Sequence, residues 1–98
     1  MYVDEILHPD TGFVNLPTGK IPLYERFREL ECSFDFYGEL AQYAYKLGML
    51  FSASAFGIRS ADELRQLNPA FIKIASPELN HFPLLEHVAS FGLPVILS

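Results

Sequence analysis

The 98-residue chain has no tryptophan, a single cysteine, and seven basic residues against twelve acidic ones. Each shortage excludes something. Cys32 has no partner in the chain, so no internal disulfide can staple it, and a reducing, cytoplasmic setting is the natural compartment. The net charge is −5 and the basic residues are scattered singly apart from Arg26 and Arg28, which speaks against nucleic acid as a partner. No apolar run approaches the roughly 18 residues that span a bilayer, so no membrane partner is expected. The first residues also lack the basic, apolar and small-residue regions of a secretory signal.

Apolar side chains, by contrast, are abundant. Half the residues are apolar, 14% are aromatic and the mean hydropathy is +0.17, which excludes a disordered chain. A domain of this size buries only about 60 to 65% of its unfolded surface, so this apolar excess implies further cover. The expectation is either a homo-oligomer or a piece of something larger, and the piece is favoured because the sequence closes on an apolar Val95-Ile96-Leu97 run followed by Ser98.

Residues 1–22 hold Pro9, Gly12, Pro17, Gly19 and Pro22, a density of turn formers that reads as a loop. Residues 23–98 then read as αβαβαβ. A short amphipathic helix over Leu23–Glu31 is followed by a longer one capped by Ser33. The longer helix carries Phe36, Leu40, Tyr43, Ala44 and Leu47 at steps of three and four, and Gly48 closes it. Met49–Ala55 changes to a strand. Ser60 and Glu63 form a capping box for a helix that ends before Asn68-Pro69, and Ala70–Ala75 is a second strand. Asn80 can cap a helix over Phe82–Phe91, Gly92 closes it, and Val95–Leu97 is the third strand. Strands this far apart with a helix between each pair are parallel. The open doubly wound sheet and the closed eight-stranded barrel both use that unit. No Gly-x-Gly-x-x-Gly follows any strand, which removes the main support for dinucleotide binding.

Lys73 stands in the middle of the apolar run Phe71-Ile72-Lys73-Ile74-Ala75. A lysine there either reaches solvent from an edge strand or meets an anion that compensates its lost hydration. Polar residues gather at the C-terminal ends of all three strands: Ser52 and Ser54, then Ser76 and Glu78, then Ser98. In both architectures ligands bind at those ends, and several hydroxyls beside one ammonium suit a phosphate or carboxylate. Glu78 is either a solvated loop carboxylate or a group that meets substrate hydroxyls or moves a proton. His8, His81 and His87 lack metal-ligand spacing and read as surface or loop residues. Cys32 reads as a small buried apolar residue rather than a nucleophile. The aromatic cluster Phe34, Phe36, Tyr37, Tyr43 and Tyr45 reads as helix-packing surface.

The stretch from Phe71 to Glu86 reads Phe-Ile-Lys-Ile-Ala-Ser-Pro-Glu-Leu-Asn-His-Phe-Pro-Leu-Leu-Glu, and Val88 to Ser98 reads Val-Ala-Ser-Phe-Gly-Leu-Pro-Val-Ile-Leu-Ser. Together they resemble the N-acetylneuraminate (sialic acid) synthase family, including its spore-coat polysaccharide relatives. Met49–Gly57 and Ser60–Leu67 are similar to the preceding family strand and helix. The resemblance implies part of a TIM (β/α)8 barrel, about its strands 3 to 5. It also implies an intact enzyme that condenses phosphoenolpyruvate with an N-acetylated amino sugar, such as N-acetylmannosamine, to a nine-carbon sugar acid. Carried over position by position, Ser54, Lys73, Ser76 and Ser98 match residues that hold phosphoenolpyruvate, and Glu78 matches one at the amino-sugar site. No catalytic residue is assigned.

A divalent metal, Mn or Mg, is implied as cofactor, with its ligands outside these residues. Pro77, Ala55 and Gly57 replace the family's usual glycine, proline and aspartate, which leaves the loop shape and the particular sugar open. The isolated piece is expected to be inactive. Two alternatives stand beside this reading: a related phosphoenolpyruvate-dependent synthase with a phosphorylated aldose as acceptor, and a non-catalytic interaction module.

Overall fold

The computed structural model describes residues 2–98. After a 3-10 turn at Val3–Glu5 come β1 (Phe13–Leu16), β2 (Gly19–Pro22), α1 (Leu23–Glu29), α2 (Phe34–Lys46) and α3 (Ile58–Gln66). Then follow β3 (Ile72–Ile74), a 3-10 turn at Ser76–Glu78, α4 (Phe82–Ala89) and β4 (Val95–Leu97). The fold is mixed α/β. Its accessible surface is 6475 Å2, against about 5700 Å2 for a compact monomer of this mass, so a good deal of apolar surface stays open.

The core sits where two helices cover one face of a parallel sheet. β3 pairs with β4 in parallel, Ile72 against Val95 and Ile74 against Leu97. Residues two apart share a face of a strand, and Ile72 and Ile74 are both fully buried against Ala61 and Leu64 of α3 and Leu84 and Val88 of α4. The expected strand over Met49–Ala55 is present only as an extended segment with one parallel bridge, Ser54 to Lys73. Hydrogen bonds from the Ala70 amide to the Phe51 carbonyl (3.1 Å) and from Ser52 Oγ to the Phe71 carbonyl (2.5 Å) hold it in place. It lies on the other side of β3 from β4, so the spatial order of the three parallel segments follows the chain.

Both ends of α2 explain themselves locally. Ser33 Oγ accepts from the Phe36 amide at 3.2 Å, as an N-cap should. At the other end of α2, Gly48 takes φ 72° and the Met49 amide reaches back to the Ala44 carbonyl, the six-to-one bond of a left-handed C-terminal motif.

The Ser60–Glu63 capping box, however, does not form. α3 begins two residues before Ser60, with Gly57 as its N-cap and no cap bond from its own side chain. The donors at that end are satisfied by Glu5, 54 and 55 residues away in sequence, which accepts from the amides of Arg59 (2.8 Å) and Ser60 (3.3 Å) and from the Ser60 hydroxyl. A carboxylate from elsewhere, favoured by the positive end of the helix, displaces the local serine. Asn80 does not cap α4 either. His81 holds the N-cap position without a side-chain cap bond, and Pro83 supplies the first-turn residue that needs no amide partner.

The reading of residues 1–22 as a loop is also corrected. This stretch holds a hairpin of two four-residue strands, β1 and β2, paired from Phe13–Pro22 to Leu16–Gly19 about Pro17-Thr18. Each strand is only four residues long, and the turn formers Gly19 and Pro22 occupy the ends of β2, which is why turn density did not preclude them.

Candidate functional site

Because Ile72 and Ile74 point into the helices, Lys73 between them lies on the opposite, open face of the sheet and is exposed. The parallel register sets Ser54 level with it on one side and Ile96 on the other. Ser98, two residues beyond Ile96, returns to the same face, and its amide is anchored to the Ile74 carbonyl at 3.1 Å. The structure thus brings Ser54, Lys73 and Ser98 to one face, near the C-terminal ends of three adjacent parallel segments. Ser54 is half-buried, while Lys73 and Ser98 are exposed, so the arrangement is an open ledge rather than a pocket. Its charge comes from one ammonium flanked by hydroxyls, a set that complements an anionic oxygen cluster.

The other serines separate from this group. Ser52 has committed its hydroxyl to the Phe71 carbonyl. Ser76 opens the 3-10 turn after β3 and is exposed just past the ledge. Two residues on, Glu78 accepts at 2.5 Å from, or shares a proton with, His81 Nδ1, and the Glu78 side chain is only 12% exposed. His81, expected as an ordinary loop residue, therefore holds the one carboxylate in the group. The i, i+3 spacing that makes this contact was visible in the sequence and is the signal that could have found it. The other histidines sit apart, His8 beside Asp10 and His87 on Asp62 at 2.6 Å. Cys32 is half-buried, with its thiol directed to the Leu30 carbonyl at 3.7 Å.

A cavity of about 240 Å3 lies elsewhere, between α2, the 51–56 segment and α3, walled by Phe34, Tyr37, Phe51, Phe56, Leu64 and Leu67 among others. Ser54 touches it, but Lys73, Ser76, Glu78 and Ser98 do not. Burial there pushes the Tyr37 phenol above its ordinary range, with Cys32 adding to the effect. At the N-terminus two more phenols are raised, chiefly by hydrogen bonds to carboxylates: Tyr2 by Glu63 and Tyr24 by Asp4. None of the three is in the ledge. Among the described residues no group of three or more His, Cys, Asp or Glu could hold a metal ion, so these side chains do not fit the divalent metal. Among the described residues no helix is long and apolar enough to cross a membrane.

The NeuB family model matches residues 9–98. An uncharacterised protein of Methanocaldococcus jannaschii is 43% identical over 79 residues, covering 81% of this chain and 23% of its own. N-acetylneuraminate-9-phosphate synthase of Mus musculus is 40% identical over 74 residues, 76% of this chain and 21% of its own. The spore coat polysaccharide biosynthesis protein SpsE of Bacillus subtilis is 30% identical over 96 residues, 97% of this chain and 26% of its own. The chain spans about a fifth to a quarter of the length of the curated relatives it matches.

Proposed function

The chain belongs to the NeuB family, and on that premise we propose that its residues form about strands 3 to 5 of a (β/α)8 barrel enzyme that makes a nine-carbon sugar acid. The enzyme would join phosphoenolpyruvate to an N-acetylated amino sugar such as N-acetylmannosamine. The observation that carries the reading is the parallel register across β3, which aligns Ser54, Lys73 and Ser98 on one open face. Barrel enzymes bind substrate at the C-terminal ends of their strands, and in the proposed barrel this face would look inward.

In this reading Lys73 supplies the positive charge that the phosphate of phosphoenolpyruvate requires, and Ser54, Ser76 and Ser98 donate hydrogen bonds to its oxygens. Held this way, the methylene carbon of phosphoenolpyruvate bonds to the aldehyde carbon of the open-chain sugar, the aldehyde oxygen takes up a proton, water adds at the enol carbon, and inorganic phosphate leaves to give the 2-keto acid. Fixing the nucleophile in reacting geometry turns a bimolecular encounter into an effectively unimolecular step. Glu78, kept in place by His81, accepts hydrogen bonds from the amino sugar. A divalent metal, Mn or Mg, would take its ligands from outside these residues and would polarise the sugar aldehyde. The reaction belongs in the cytoplasm, with the rest of the barrel or a further copy of the chain covering the open apolar surface. The names of the mouse and Bacillus relatives support a sugar-acid or polysaccharide context.

The test is a titration of the labelled chain with phosphoenolpyruvate, followed at its backbone amides. Binding in the millimolar range should move the amides of Lys73, Ser76 and Ser98, and Lys73→Ala should remove the effect. Equal binding by Lys73→Ala would refute the assigned role.

A further inference from the structure

Residues 2–5 strap two remote parts of the chain together. Val3 is fully buried and its amide donates to Glu31 Oε1 at 2.5 Å, while Tyr24 donates to Asp4. Tyr2 donates to Glu63 at 2.6 and 2.8 Å, and the Arg59 guanidinium lies 3.8 Å above its ring. Glu5 reaches furthest and takes three donors at the start of α3. Gly57 is buried directly against it, and a Cβ at Gly57 would run into the Glu5 side chain. The backbone of Gly57 is extended, so glycine serves there to make room rather than to reach a special conformation.

Only Ala55, 1% exposed, and Phe56 separate that clamp from Ser54. The sheet ties the start of the 51–54 segment through Phe51 and Ser52 but grips its Ser54 end lightly. That end has a single bridge, and the Lys73 amide reaches the Ala53 carbonyl at a long 3.5 Å, whereas β3 and β4 share three paired positions. We propose that Glu5 is a positioning residue: by clamping Gly57–Ser60 it keeps Ser54 in register beside Lys73, so the N-terminal strap sets the geometry of the anion ledge. The inference rests on reading Ser54 and Lys73 as ligands of the phosphoenolpyruvate phosphate.

Amide exchange on the full chain tests it without any ligand, because two neighbouring amides report opposite sides of β3. Ile72 donates to Pro94 on the β4 side and Lys73 to Ala53 on the Ser54 side. In Glu5→Ala, exchange at Arg59, Ser60 and Lys73 should rise roughly tenfold, as the loss of charge-assisted hydrogen bonds implies, with Ile72 unchanged and the cross-strand contact of Ser54 with Lys73 lost. Glu5→Gln, which keeps an acceptor for the Arg59 amide, should restore Lys73 in part, and it carries the same comparison if Glu5→Ala loses Ile72 protection as well. Faster exchange at Arg59 and Ser60 with Lys73 and its contact to Ser54 intact would overturn the proposal and leave Glu5 as a helix cap only. Failure of the functional reading looks different: phosphoenolpyruvate would then move neither Ser54 nor Lys73 in the wild-type chain, whatever the exchange pattern.

Discussion

Between Ala55 and Val88 the apolar side chains that the helix and strand periods select are buried, and all seven residues of the main core cluster lie there. Along α2 the same kind of pattern leaves only Ala41 buried, while Phe36, Leu40, Tyr43 and Leu47 stand open, Tyr43 at 62%. Both regions have the periodicity of an amphipathic element. What separates them is a partner: α3 and α4 lie on a parallel strand, whereas α2 lies on no strand and meets the 51–56 segment and the end of α3 along only part of its surface. A hydrophobic period therefore says which face a helix would bury, and the presence of a neighbour decides whether it does.

The sharpest way to break this contrast is to truncate a side chain in each region and compare the losses. Ile72→Ala should cost about 2 to 5 kcal/mol in denaturant unfolding, because the site is fully packed and cannot collapse, whereas Tyr43→Ala should cost under about 1 kcal/mol. Equal losses would mean that α2 has a partner in solution.

A smaller effect separates packing from clamping. Gly57→Ala forces a methyl group into Glu5 and should lower stability by about 1 to 3 kcal/mol, and adding Glu5→Ala should recover part of that loss. Additive losses in the melting of the double variant would show that the two residues do not share the site.

A local effect is expected of Ser33→Ala, at about 1 kcal/mol of helix stability. Because α2 lacks tertiary cover, the loss should appear as fraying of its first turn in circular dichroism and amide exchange, with the core amides of Ile72 and Ile74 unmoved.

Most of residues 23–98 was legible because each element there carries its own punctuation. Ser33, Gly48, Gly92 and the apolar steps between them act over a few residues, and such local physics is visible in a linear sequence. The hairpin escaped because turn formers say where a chain bends and not whether the pieces between the bends pair. The α3 cap escaped for a deeper reason. Ser60 and Glu63 satisfy the local rule, yet Glu5 outcompetes them from a distance at which no spacing rule operates.

At the candidate site, the alignment of Ser54, Lys73 and Ser98 followed from parallel strands and alternation, both readable beforehand. The pairing of Glu78 with His81 was within reach of a spacing argument. The strap that bears on Ser54 was not, because nothing in residues 2–5 names its target.

One consequence of the alternation in β3 concerns parity. Ile72 and Ile74 are seated in the helical layer, and a strand that slipped by one residue would turn both to solvent and push an ammonium into hydrocarbon. The side of the sheet on which Lys73 appears is thus enforced by two isoleucines that touch no ligand. Substitutions at either one would be chemically silent and still misdirect the charge, so a screen that looks only for polar residues around the ledge would overlook the pair that aims it.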